Sequence, residues 1–208
     1  GKETLAQRIK SRAESAEFIE IRQGEAMGLG HAILRGESCI QEDYFAIVLP
    51  DDLYLGKPPA LRELIDVHER EGGSVLGLQT VDRSKSHLYG MISGNPVSDR
   101  HWRLKSMVEK PSPEDSPSQQ AITGRYLVPR SIFDILRTQN RGALGEIQLT
   151  DALNKLAHES LFHGIIPQAP RFDTGSATGL LIAGLAQGLL GEDAEMIRQA
   201  IAKLNTRS

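Results

Sequence analysis

One cysteine among 208 residues, Cys39, rules out a disulfide within the chain and a thiolate metal cluster. That usage is in keeping with a reducing, cytoplasmic setting, and Cys39 beside Ile40 is expected to be a half-buried, unreactive thiol. The six histidines show no metal-ligand spacing, so no zinc site is expected, and no Ser-His-Asp or Cys-His order can be read. Long apolar runs are also missing. The most apolar stretch, 179–190, is too short and too rich in glycine to span a bilayer, and the first residues lack the apolar core of a signal peptide. Charge of one sign is not in excess: 24 basic against 27 acidic residues give a net −3, no electrostatic reason to bind nucleic acid or an anionic membrane. Neither G-x-G-x-x-G nor a G-K-[ST] phosphate loop occurs.

What remains is ordinary globular composition, 39% apolar and 25% charged, of a length that suits one domain with a sizeable core. A basic amphipathic helix is expected over 2–16, with Leu5 and Ile9 on one face, followed by a short strand over 18–21. The run Phe45-Ala46-Ile47-Val48-Leu49 has the continuous apolarity of a central strand covered on both faces. Further strands are expected over 74–81, 89–92, 103–108, 121–128 and 161–166, and helices over 61–71, 132–139, 148–160, 177–190 and 193–204. An exposed loop rich in serine and proline fills 112–118. Trp102 is expected on a hairpin edge. The alternation specifies an α/β fold.

Chemistry concentrates at the ends of these elements. Gly24, Gly28 and Gly30 lie between the first strand and a helix, where bare backbone N–H groups can approach a base or phosphate. Asp51 follows the most apolar strand, and Asp173 follows another apolar segment. Two carboxylates on separate strand ends suit a Mg²⁺ ion that takes its other ligands from water and phosphate, and they equally suit strand ends and turns. Glu109 and Lys110 place opposite charges side by side, one able to accept from sugar hydroxyls and one to meet a phosphate. Gly90 and Gly124 could admit a flat ligand, or serve as a bulge and a turn. His31 is expected to pack or cap at the start of its helix.

Seven segments in order, 22–32 (Arg-Gln-Gly through Gly-Leu-Gly-His-Ala), Val48-Leu49-Pro50-Asp51-Asp52, Tyr89-Gly90, Val108-Glu109-Lys110-Pro111, 121–126 (Ala-Ile-Thr-Gly-Arg-Tyr), 145–152 (Gly-Glu-Ile-Gln-Leu-Thr-Asp-Ala) and Phe172-Asp173-Thr174-Gly175, closely resemble bacterial UTP:glucose-1-phosphate uridylyltransferases. The resemblance implies an α/β/α sandwich with a mixed central sheet, of the nucleotide-diphospho-sugar transferase type. It also implies transfer of uridylyl from UTP to glucose 1-phosphate, giving UDP-glucose and pyrophosphate with Mg²⁺. By the same resemblance Gln23 and Gly28 would contact uracil, Asp51 and Asp173 would hold Mg²⁺, and Gly90, Glu109 and Gly124 would line the glucose pocket. Lys110 would hold the sugar phosphate. A related sugar-1-phosphate nucleotidylyltransferase with another base or sugar, or an inactive sugar-nucleotide-binding fragment, would share these segments.

The family's glycine-rich phosphate loop, of the G-x-G-[TS]-R type, has no counterpart before Gln23. The 208 residues are therefore expected to form a nucleotidyltransferase domain without its N-terminal phosphate-loop portion. They should carry an exposed apolar sheet edge and uncovered helices. The segment 145–152 and the C-terminal helices could serve as contact surfaces of a homo-oligomer as readily as core.

Overall fold

The stretch Ser74–Thr80 carries five buried residues in succession, and it forms a central strand because only a strand covered on both faces tolerates such a run. The computed structural model describes residues 2–140 and 145–205. In chain order the elements are helix α1 (Lys2–Ala13), α2 (Leu29–Arg35), strands β1 (Tyr44–Val48) and β2 (Asp52–Tyr54), α3 (Ala60–Glu71), β3 (Ser74–Thr80), β4 (Gly90–Ser98), β5 (His101–Glu109) and β6 (Gln120–Pro129). These are followed by α4 (Ile132–Thr138), α5 (Leu149–Ala157), β7 (Phe162–Ile165), β8 (Arg171–Asp173), α6 (Ala177–Leu189) and α7 (Ala194–Asn205).

Six strands form one sheet in the order β1-β6-β3-β7-β5-β4. Only β3 and β7 run parallel; the other neighbours are antiparallel, so the sheet is mixed. Helix α3 covers one face through Leu64 and Val67, which join Val75, Leu127 and Ile165. On the opposite face Phe133 and Leu136 of α4 and Leu149, Leu153 and Leu156 of α5 pack on Leu76, Leu78, Ile122 and Val128. Their spacing of three and four residues is the stripe that a sheet-packed helix needs. The result is the expected α/β/α sandwich. A separate two-stranded ribbon pairs β2 with β8.

Most expected elements recur within a few residues, with four corrections. Residues 18–21 form no strand, and Phe18 is 81% exposed; extended backbone becomes a strand only when another strand takes up its hydrogen bonds. Among the described residues the apolar run at 45–49 is not central: β1 pairs there with β6 alone, and Val48 is 49% exposed while Ile47 faces the core. Cys39 is exposed rather than half-buried. Trp102 does stand in the β4–β5 hairpin, but β7 flanks it on the other side through Gly164, so it is no edge residue. Beyond the sandwich, α6 and α7 expose Leu180, Leu181, Met196 and Leu204, and Leu190 just after α6 is exposed as well.

Candidate active site

After β1 the chain turns at Leu49 and Pro50 into the ribbon, and that turn sets the two predicted metal carboxylates side by side. The backbone oxygen of Asp51 accepts from the N–H of Thr174 at 2.7 Å and from its hydroxyl at 2.9 Å. Asp51 is thus held through its main chain, which leaves its carboxylate for the cleft. Asp173 Oδ1 accepts the Gly175 N–H at 3.0 Å. A methyl group built on Gly175 would lie 3.2 Å from Asp173 Oδ1 and 3.4 Å from Asp51 Oδ2, so both carboxylates converge on one glycine.

The neighbouring Asp52 carries no sequence pattern that marks it as functional. Asp52 is buried and stands directly opposite Asp173 in the ribbon register, a like-charge juxtaposition that needs a cation. Arg171 supplies it, two residues before Asp173 on the same strand and hence on the same face. Its guanidinium pairs with Asp52, donates to Gln79 Oε1 at 3.0 Å and stands 3.8 Å from Asp173 Oδ2. Burial works against the charge of Arg171, but Asp52 more than offsets it and keeps the guanidinium firmly protonated. The other oxygen of Asp52 accepts the backbone N–H of Gly124. Gly124 is packed so closely that a Cβ there would lie 2.7 Å from Leu49 Cβ and 2.8 Å from Asp52 Cβ. The alternation Arg171-Phe172-Asp173 was the available signal for this network.

Gly90 and Glu109 face each other in the β4–β5 register. A Cβ on Gly90 would lie 2.9 Å from Thr150 Oγ1 and 3.3 Å from Glu109 Oε2, so Thr150, at the start of α5, also borders this corner. Lys110 adopts φ 45° and donates its N–H to Tyr89 O at 3.0 Å. Its ammonium stands 3.7 Å from Glu109 Oε1 on a side chain that is 56% exposed. Left-handed backbone at a non-glycine residue is uncommon and recurs where a side chain must be aimed.

Asp51, Lys110, Gly124 and Asp173 line one open cleft of about 390 Å³, together with Tyr89 and Arg171. On its wall, burial raises the Tyr126 phenol far above its ordinary range. A larger concavity, about 480 Å³, lies between α3 and the β4–β5 turn and is lined by Glu63, Arg70, Arg100 and His101 among others. No predicted site residue lines it, and its Glu63 is already engaged by Arg100 and Gln168. Converging carboxylates beside a lysine favour the smaller cleft for chemistry.

Gln23, Gly28, Gly90 and Glu109 are not among the residues lining that cleft, although Tyr89 and Lys110 beside the last two are, and a short segment links Gln23 and Gly28 to the Gly90 corner. Gly28, at φ 91°, precedes α2 and abuts Glu146 and Ile147, each with an atom 2.9 Å from where its Cβ would lie. Backbone bonds Ile147 N–H to Met27 O and Gly30 N–H to Ile147 O, both 2.9 Å, dock the loop onto 145–149. Three residues later Thr150 touches the Gly90 corner. His31 faces Gln23, with 3.1 Å from Gln23 Nε2 to His31 Nδ1.

The described residues contain no group of three or more His, Cys, Asp or Glu side chains suited to a metal. Two carboxylates fit a hard cation that keeps several waters and binds phosphate oxygens, the habit of Mg²⁺ rather than of zinc. No described helix is long and apolar enough to cross a membrane.

A mixed sheet between helical layers, with paired carboxylates at strand ends, is the frame of a nucleotide-handling transferase, and the chain belongs to the nucleotidyl transferase family, which it matches over residues 2–186. Within it the chain falls among the UTP-glucose-1-phosphate uridylyltransferases. It is 38% identical over 204 residues to the enzyme YngB of Bacillus subtilis, covering 98% of this chain and 68% of that protein. A second uridylyltransferase, from Staphylococcus saprophyticus, is 38% identical over 192 residues, covering 92% of this chain and 66% of its own length. The crystal structure of a UDP-glucose pyrophosphorylase complexed with UDP-glucose superimposes with a TM-score of 0.84 at 35% identity, over 89% of this chain and 71% of that one. The chain thus spans about two thirds of the length of the curated relatives it matches.

Proposed function

We propose that these residues carry the sugar-nucleotide site of an enzyme that transfers uridylyl from UTP to glucose 1-phosphate, releasing pyrophosphate and leaving UDP-glucose. The observation that carries the reading is the convergence of Asp51 and Asp173 on Gly175 in the cleft that also holds Lys110 and Gly124. Asp51 and Asp173 would hold Mg²⁺, which when bound offsets charge on the phosphates. Lys110, aimed by its left-handed backbone, holds the phosphate of glucose 1-phosphate. Glu109 accepts from glucose hydroxyls, with Gly90 and Gly124 bordering the sugar, where their missing side chains let Thr150, Glu109, Leu49 and Asp52 close in behind them. Gln23 and Gly28 receive the uracil.

A sugar-phosphate oxygen then attacks the α-phosphorus of UTP in line with the departing pyrophosphate. The site's task is positioning and charge compensation, so no protein nucleophile is required. The 208 residues are read as part of one nucleotidyltransferase domain acting in the cytoplasm. The open cleft also supports a second reading, a chain that binds UDP-glucose without turning over.

Pyrophosphate release with UTP, glucose 1-phosphate and Mg²⁺, measured beside UDP-glucose titration, separates the two. Release that is lost in Asp173→Asn supports the transferase. Binding without release supports the second reading, and neither binding nor release rejects both.

A further inference from the structure

We infer that His31 is a positioning residue for base choice: it locks the Gln23 carboxamide so that only an acceptor faces the base, which admits uracil and rejects cytosine. The inference rests on the proposed contact between Gln23 and the base.

Gln23 Nε2 lies 3.1 Å from the backbone oxygen of Gly28 and 3.1 Å from His31 Nδ1. A peptide carbonyl can only accept, so the atom facing Gly28 must be the amide nitrogen, and the orientation of the carboxamide is settled by chemistry. That nitrogen carries two hydrogens. The second points at His31 Nδ1, which must therefore be the unprotonated ring nitrogen, with the ring proton on Nε2. Both amide hydrogens are then spent. The carboxamide has only Oε1 left to offer.

Uracil presents an N–H between its two carbonyls and can donate to such an oxygen. Cytosine has a lone pair at the same ring position and would set acceptor against acceptor. Thymine shares the N–H with uracil, so the lock selects the class of bases bearing that donor. Sites built on a hydrogen bond to the correct partner discriminate far more strongly than sites that sense size, because the mismatched pair leaves polar groups unsatisfied.

The partners of the lock are themselves fixed. Gly28 O also accepts from Ala32 N–H at 3.2 Å within the first turn of α2, and the loop is docked by the bonds of Met27 and Gly30 to Ile147. His31 follows the buried Gly30, whose Cβ position is closed off by Ile147 and Leu136. Without the imidazole, one amide hydrogen loses its acceptor. A modest rotation about the Gln23 side chain would then offer that N–H to the cytosine lone pair.

The test is calorimetric titration of the full chain with UDP-glucose and with CDP-glucose in the presence of Mg²⁺. The proteins are the wild type, His31→Leu, His31→Ala as a variant without added apolar bulk, and His31→Asn, whose amide oxygen can replace the Nδ1 acceptor. Wild type is expected to favour UDP-glucose by at least about thirtyfold. The preference should fall below about fivefold in His31→Leu and His31→Ala, chiefly through tighter CDP-glucose binding, and return in His31→Asn. A merely structural histidine would weaken both ligands alike. If the preference persists in folded His31→Leu or His31→Ala, the lock is wrong while the base site stands. If the wild type binds neither ligand, the proposed function fails and the inference with it.

Discussion

Asp52 and Arg171 meet across the β2–β8 ribbon, and through them the carboxylate pair is tied to Gly124 in the cleft wall. Asp52 follows Asp51 in the chain, opposes Asp173 in register, and bonds Gly124 with the oxygen that Arg171 does not engage. One buried aspartate thus sets the spacing of three proposed site residues without lying free to bind a metal.

Removing the cation from this arrangement should be costly. Arg171→Met leaves Asp52 buried and unpaired, and a loss of about 3 kcal/mol in urea unfolding is expected, the usual penalty for breaking a buried pair from one side. The double variant Arg171→Met with Asp52→Leu should recover part of it. An unchanged urea midpoint in the single variant would show that the pair does not stabilise the ribbon.

The metal proposal separates the three aspartates. Mn²⁺ binding, followed by the loss of its free paramagnetic signal with UDP-glucose present, should weaken more than about tenfold in Asp51→Asn and in Asp173→Asn. Asp52→Asn should lower stability first, because its oxygens serve Gly124 and Arg171. Weaker Mn²⁺ binding in Asp52→Asn alone would reassign the site.

Two glycines of the loop proposed to receive the base allow strain and crowding to be told apart. Gly24 and Gly28 both have positive φ, 81° and 91°, but a Cβ on Gly24 meets nothing within 4 Å while one on Gly28 meets Glu146 and Ile147. Gly24→Ala should cost about 1 kcal/mol for the backbone conformation alone. Gly28→Ala should cost about 2–3 kcal/mol and weaken UDP-glucose binding, since the loop must lift from 146–147. Equal thermal shifts in the two variants would refute the docking argument.

Acid should act through a buried histidine pair distant from the chemistry. His101 Nε2 and His163 Nδ1 are 2.8 Å apart between β5 and β7, so one donates and the other, necessarily neutral, accepts. Burial, then the neighbouring His101, lowers His163 from the ordinary 6.5 to about 4; burial also lowers His101. Arg70 and Arg103 nearby disfavour added charge and Glu71 favours it. Because the folded value lies below the unfolded one, the unfolded chain takes the proton first. The contribution is complete above pH 6.5 and is lost as pH falls toward 4, a decline on the order of 3 kcal/mol. His163→Gln should show a flatter fall over that window in urea unfolding, and a parallel fall would assign the acid effect to carboxylates.

Strands and helices with strong periodicity were legible from the chain alone. Residues 61–71, 121–128 and 148–160 became α3, β6 and α5 with small shifts at their ends. The ribbon was not legible, because three residues on each side carry too little pattern to distinguish a strand from a turn. The apolar run at 45–49 promised a central strand, yet whether an apolar strand is flanked on both sides depends on which partners the topology brings to it. Residues 18–21 had strand character and found no partner among the described residues. For the site, the carboxylates, Glu109 and Lys110 could be singled out by position at strand ends, while Arg171, Thr150 and His31 acquire roles only from what they face.

By itself the sequence determined the α/β class, the positions of the main helices and strands, and the residue types proposed to hold a sugar nucleotide, because periodicity and side-chain chemistry are local properties. Tertiary structure alone decided that Asp51 and Asp173, 122 positions apart, converge on Gly175. It alone decided that Asp52 is consumed by Gly124 and Arg171, and that Gln23 spends both amide hydrogens. Hydrogen bonds and charge pairs are set by distances of a few ångströms between distant parts of the chain, and those distances exist only once the sheet has chosen its strand order.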